Sequence, residues 1–290
     1  MVSWYREVSG PNAVEDTSNP DPETPSKHAI EDDLRYRISG EASSPTLLYL
    51  PGVHGDWTPQ AAAAPILAEH FRLIETAYPK NPAWALSEFV AAVVRLLDRL
   101  KIPSTHLAAE SFGSLVGQQF ALEHPERVQS LTIVGGFTRA PDARMIRLTR
   151  LGLERLPTRL FEGGVDVYVA LRRNRGALHP TPHQVDLPYD AVRTEAGRRA
   201  TVRRFEIIGQ TDLRPRLHEL QLPVRYLGGE HDLIVPTKRE IATLEELLPD
   251  SAAFESHLIA KGPHMIIASH AEETVKRIVE WWTDSSQTLE

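Results

Sequence analysis

The stretch that most limits how this chain can fold is Leu107-Ala108-Ala109-Glu110-Ser111-Phe112-Gly113-Ser114-Leu115-Val116-Gly117. An apolar, strand-like run from Thr105 to Ala109 stops at Glu110-Ser111, and beyond it Leu115, Val116 and Phe120 recur at buried helical spacings. The pattern predicts a strand, one tight turn and a helix, with Ser111 exposed at the tip. Small residues two before and two after the serine suit such a turn. A bulky side chain at Ala109, or any side chain at Gly113, would run into the neighbouring strand or the helix backbone.

Strands and helices alternate on either side of this turn. Two alternating segments, Trp4 to Val8 and Leu34 to Ile38, read as edge strands, separated by a Pro-, Asp- and Ser-rich loop from Pro11 to Lys27. Thr46 to Leu50 reads as a strand buried on both faces and runs into Pro51-Gly52-Val53-His54-Gly55. Helix Pro59 to His70, strand Leu73 to Thr76 and helix Trp84 to Leu100 precede the Ser111 turn, and its helix is expected to end near His124-Pro125. Strand Val128 to Val134 follows. After Gly135-Gly136 the alternation stops until strand Val224 to Gly228, helix Thr237 to Leu247, strand Ala252 to Leu258 and helix Met265 to Trp282. Strict alternation implies an α/β fold with a mostly parallel sheet wound by right-handed crossovers. The intervening segment, broken by Pro157, Gly163-Gly164, Pro180, Pro182 and Pro188, is expected to be an inserted cap of short helices. Residues 1–136 and 218–290 would then form the core, and 137–217 the cap.

Composition narrows the function by exclusion. A formal charge of −7 is unsuited to a nucleic-acid partner. The absence of cysteine removes disulfides, thiolate metal sites and a cysteine nucleophile. The first residues hold no apolar signal segment, and no run is long enough to span a membrane, so a cytoplasmic protein is expected. No cofactor and no metal site is expected: there is no paired-histidine helix beside a carboxylate and no glycine-rich phosphate loop.

A serine hydroxyl is a weak nucleophile and needs a base within hydrogen-bond reach, itself oriented by a third group. Two strand-end loops offer those groups. The first is Gly228-Gly229-Glu230-His231-Asp232-Leu233-Ile234-Val235-Pro236, and the second is Lys261-Gly262-Pro263-His264-Met265. Loops at the carboxyl ends of parallel strands share one rim, so both can reach Ser111.

The Ala-x-Ser-x-Gly turn resembles the nucleophile elbow of the α/β-hydrolase family, and the order serine, aspartate, histidine along the chain is similar to that family's. The resemblance runs from Thr46 to Trp282. It implies an α/β-hydrolase fold with Ser111 as nucleophile, His264 as general base and then acid, and Asp232 as orienting carboxylate. The family's Gly-x-x-Asp-x-x-Val-Pro pattern falls on Gly229, Asp232, Val235 and Pro236, although Glu230 and Asp212 also compete for the acid's role. An oxyanion hole would use the N–H groups of Phe112 and of the loop after Leu50. Aligning strand ends favours Val53, while the true His54-Gly55 pair two residues later leaves a shifted register open.

Serine at the elbow argues against dehalogenases and epoxide hydrolases of this fold, which use aspartate there. The resemblance implies a carboxylesterase- or lipase-like serine hydrolase acting on a small-molecule ester through an acyl-enzyme. Two alternatives stay open: an acyltransferase using an alcohol acceptor, and a non-catalytic small-molecule binding protein. About half of the chain's basic residues fall in the cap, all of them arginine. Pairs such as Arg172-Arg173, Arg198-Arg199 and Arg203-Arg204 read as a solvated surface, or as a means of attracting anionic substrates.

Overall fold

The structure is a computed structural model and describes residues 6–8, 33–155, 160 and 194–287. Its eight strands are β1 (Arg6–Val8), β2 (Arg35–Ser39), β3 (Thr46–Leu50), β4 (Arg72–Ala77), β5 (Thr105–Glu110), β6 (Val128–Val134), β7 (Val224–Gly229) and β8 (Glu255–Ile259). They form one sheet in the order β1-β2-β4-β3-β5-β6-β7-β8. The β1–β2 and β2–β4 pairings are antiparallel and all others are parallel.

Helices α1 (Ala64–Leu67), α2 (Leu86–Arg99), α3 (Phe112–Glu123), α4 (Ala143–Arg155), α5 (Glu195–Gln210), α6 (Thr237–Leu247), α7 (Ile266–Ser269) and α8 (Ala271–Gln287) complete the described elements, with a few 3-10 turns between them. Successive strand side chains point to opposite faces, so an uninterrupted apolar strand feeds two cores. Leu48 and Leu50 enter one core with Phe89, Leu115 and Leu244 from α2, α3 and α6. Leu47 and Tyr49 enter the other with Leu67, Ile266 and Val275 from α1, α7 and α8.

Strand order also decides where a ligand crevice opens. From β3 the chain moves outward to β4, and it then crosses to β5 on the opposite side of β3. Loops leaving β3 and β5 at their carboxyl ends therefore diverge, which is the geometry of a topological switch point. Val53 stands just beyond one of these ends and Ser111 just beyond the other.

Several boundaries differ from the sequence expectation. Pro59 to His70 is not one helix but a 3-10 turn at Thr58–Gln60 followed by the single-turn α1. Pro59 and Pro65 lack an N–H and are tolerated only at the start of a helical piece, so two prolines make two starts. The last helix is likewise broken. His270 adopts φ −133° between α7 and α8 and its carbonyl accepts the Thr274 N–H at 2.9 Å. Strand β8 starts at Glu255 instead of Ala252, because Asp250–Ala252 is a 3-10 turn closed by Ala253 in the left-handed region at φ 43°.

Between β6 and β7 the chain contributes α4 and α5, which pack on one another and are longer than the short helices expected there. The two ends of this excursion are joined by a bridge between Arg139 and Asp212 and by Leu213 N–H donating to Thr138 O at 2.9 Å. The expected loop from Pro11 to Lys27, and Arg172-Arg173 with most of the chain between α4 and α5, lie outside the described residues. Among the described residues no helix is long and apolar enough to cross a membrane.

Candidate active site

Ser111 is held in a backbone conformation that a serine adopts only under constraint, with φ 48° and ψ −115°. The constraint comes from both sides of the turn. Its N–H donates to Val134 O on β6 at 3.0 Å, and its carbonyl accepts from Ser114 N at 2.9 Å and Ser114 Oγ at 2.6 Å. A Cβ on Gly113 would sit 2.3 Å from Leu50 O, so only glycine lets α3 pass this close to β3. Gly117 does the same a turn further along α3, where a Cβ would lie 2.9 Å from that of Ala109. Close helix–strand packing thus offsets the backbone strain at Ser111, and the result is a hydroxyl lifted above the sheet.

Asp232 and His264 arrive from the loops after β7 and β8. Those loops interlock: His231 N–H donates to Gly262 O at 2.9 Å and Glu230 N–H to Ile259 O at 3.0 Å. Asp232 Oδ1 accepts the N–H groups of Ile234 and Val235, each at 2.8 Å, which fixes its carboxylate. Its other oxygen, Oδ2, lies 2.7 Å from His264 Nδ1, and His264 Nε2 lies 3.0 Å from Ser111 Oγ. A carboxylate can only accept, so Nδ1 carries the proton and Nε2 offers its lone pair to the serine hydroxyl.

Burial alone would lower the His264 pKa. The charge and hydrogen bond of the enclosed Asp232, with a smaller contribution from Glu110, more than offset this and raise it above the ordinary histidine value. Glu230 instead caps the Lys261 N–H at 3.2 Å, and Asp212 pairs with Arg214; neither is bonded to His264.

The loop after β3 makes a turn in which Gly55 N–H donates to Gly52 O at 3.0 Å. Neither Val53 N–H nor Phe112 N–H has a protein acceptor among the described residues, and Phe112 opens α3, where helix geometry leaves the N–H free. His54 folds back over Gly52, where a Cβ would meet its ring at 2.9 Å, and its Nε2 lies 2.9 Å from Asp56 O and 3.9 Å from Glu110 Oε2.

Two participants have no assigned place in the sequence reading. Glu110 is buried beside the nucleophile and accepts a short hydrogen bond from Tyr49, whose phenol is pushed well above its usual pKa by burial and by Glu110. Arg204, expected on a solvated or substrate-steering surface, is buried: it donates to Val53 O at 2.8 Å and lies over the Tyr78 ring. Of the aromatic residues near the turn, Phe112 and Phe137 are core residues, and Phe112 packs edge-on against Tyr78 and Phe89. Among the described residues no cluster of three or more histidine and carboxylate side chains could hold a metal ion.

A hydroxyl hydrogen-bonded to an oriented imidazole can attack an acyl carbon. Comparisons with known proteins agree with the class of fold. A family model described as the alpha/beta hydrolase fold matches residues 50–271. The chain is 28% identical to "Putative carbamate hydrolase RutD" of Azorhizobium caulinodans over 80% of this chain and 89% of that one. It is 30% identical to the pimeloyl-[acyl-carrier protein] methyl ester esterase of Klebsiella pneumoniae, over 71% of this chain and 81% of that one. Its fold is similar to the crystal structure of a hydrolase from Pseudomonas aeruginosa PA01, with a TM-score of 0.72 at 19% identity, covering 86% of this chain and 94% of that one.

Proposed function

The chain belongs to the α/β-hydrolase fold family, and on that premise we propose that it is a serine hydrolase that cleaves carboxylic esters through an acyl-enzyme on Ser111. One observation carries the reading: the continuous hydrogen-bond chain from Ser111 Oγ through His264 to Asp232 Oδ2. As Ser111 Oγ attacks the acyl carbon, its proton passes to His264 Nε2 and the carbonyl oxygen becomes an oxyanion between the N–H groups of Val53 and Phe112. Collapse of this tetrahedral intermediate breaks the acyl–oxygen bond, and the departing alcohol takes the proton from His264. Water then repeats the sequence with His264 again as base, freeing the acid and Ser111.

Asp232 stays ionised throughout. Its role is to hold the imidazole in the required tautomer and to stabilise the transient imidazolium. The relatives' names, a carbamate hydrolase and a methyl ester esterase, fit cleavage at an acyl carbon. Residues 137–217 act in this reading as a cap over the site: the excursion leaves β6 on the rim where Ser111 stands, and the bridge between Arg139 and Asp212 closes its base a few residues beyond that rim. A panel of p-nitrophenyl esters tests the proposal. Hydrolysis by the wild type that Ser111→Ala abolishes supports it, and hydrolysis that Ser111→Ala leaves intact overturns it.

A further inference from the structure

Helix α5 and the loop after β3 meet at a single buried cation. The helix buries Gly197, Ala200, Thr201, Arg204, Ile207 and Ile208, an inward stripe in which Arg204 is the one charge. Its guanidinium rests against Gly55, where a Cβ would lie 2.6 Å from Nη2, and its Cζ is 5.6 Å from the centroid of the Tyr78 ring. Gly55 has φ 86°, a backbone conformation that favours glycine.

Such a cation is costly. Burial lowers the Arg204 pKa to about 10, which still leaves it protonated at neutral pH. Its Nε is buried without an acceptor, and no carboxylate pairs directly with it among the described residues. An apolar side chain of similar volume would avoid that cost but would leave the Val53 carbonyl without its donor. Among the described residues, the one side-chain hydrogen bond it makes goes to the backbone of the loop that carries Val53.

We propose that Arg204 is a positioning residue for the oxyanion hole: by holding the Val53 carbonyl from α5, it fixes the turn from Gly52 to Gly55 so that the Val53 N–H meets the developing oxyanion. This inference rests on the acyl-enzyme reading and deepens it. The geometry supplies the reason. In a trans peptide the carbonyl and N–H point in opposite directions, so the bond from Gly55 N–H to Gly52 O aims the Val53 N–H away from the turn. That direction is kept only while the turn keeps its place. Tyr78 N–H anchors it from the end of β4 by donating to Gly55 O at 2.8 Å, and Arg204 anchors it from α5 through Val53 O at 2.8 Å. Seating of α5 and alignment of the oxyanion hole therefore occur together.

The test compares Arg204→Met, Arg204→Lys and Ser111→Ala with the wild type, using p-nitrophenyl acetate kinetics, thermal melting and inhibition by an aryl trifluoromethyl ketone, which forms a tetrahedral oxyanion on the serine. Loss of one whole oxyanion-hole donor costs roughly 10²- to 10³-fold in kcat, and misplacement of one should cost less. Arg204→Met should still melt cooperatively as a folded protein while kcat falls about ten- to a hundred-fold, KM stays nearly constant and the ketone's Ki rises in step with the loss in kcat. Arg204→Lys, which can reach the carbonyl but lacks a planar group to lie over Tyr78, should fall between the two. If the Met variant fails to fold, the Lys variant decides: reduced kcat with a raised Ki supports the inference, and wild-type values for both overturn it. Wild-type kcat and Ki in a folded Met variant also overturn it, as does a rise in KM alone. Full activity in Ser111→Ala would instead sink the reading beneath it.

Discussion

A Cβ placed on Gly229 would lie 2.2 Å from the carbonyl oxygen of Gly262. The loops after β7 and β8 are thus in backbone contact, and Asp232 and His264 extend from this contact. It follows that Gly229→Ala should separate acid from base. Turnover should drop toward that of Asp232→Asn, with a stability loss of about 1–3 kcal/mol from overpacking. Kinetics and melting of the same variant check this, and unchanged turnover would mean that the loop contact does not set the pair.

The pH profile follows from the sign of the His264 shift. Base catalysis needs the neutral imidazole, so kcat/KM should be low where His264 is protonated and rise as it loses its proton. Since Asp232 and Glu110 together outweigh burial and raise its pKa, the midpoint should lie above the ordinary value of about 6.5. Asp232→Asn should move the midpoint down. A profile flat from about pH 5 to 8 would remove histidine from the base position.

Roles within the triad can be ranked. Ser111→Ala and His264→Ala should each lower turnover by roughly 10³-fold or more, because the members act as a unit. Asp232→Asn should cost less than either. Glu230→Gln should be mild, since Glu230 meets the Lys261 backbone and not His264. A larger effect at Glu230 than at Asp232 would reassign the acid.

Arg203, adjacent to Arg204, has a different role. It donates to Trp84 O at 2.8 Å and pairs with Glu206 at 3.2 Å, so it joins α5 to the chain before α2 and is not free to steer substrate. Arg203→Gln should lower stability by about 1–2 kcal/mol through the lost charged hydrogen bond. The ionic-strength dependence of kcat/KM for a carboxylate-bearing ester should not change. A variant that loses activity only toward that ester, and mainly at low salt, would restore the steering role.

The strand alternation is readable from the sequence because two-faced burial leaves an apolar run at Thr46–Leu50, and Val128–Val134 carries β-branched and apolar residues up to its buried end at Ile133-Val134. The Ser111 turn is legible from Ala109 and Gly113, whose smallness is demanded by packing that the structure displays at Leu50 and Gly117. Elsewhere tertiary context decides. Pro59 and Pro65 divide a helix whose apolar spacing looks continuous, and His270 divides another. Arg204 looks like a surface residue on charge alone, yet a contrary signal exists. Ala200, Thr201, Ile207 and Ile208 lie at helical spacings around it, and that periodicity places Arg204 on the buried face. Burial of Glu110 carries no such signal, because its partner Tyr49 comes from another strand.

Covalent attack by Ser111 is the central claim, and labelling with a fluorophosphonate followed by intact mass and peptide mapping measures it most directly. The expected result is a single phosphonyl adduct on Ser111, absent in Ser111→Ala, slowed in His264→Ala and formed in parallel with loss of esterase activity. An adduct on another residue, or ester hydrolysis that continues while Ser111 is fully labelled, would contradict it.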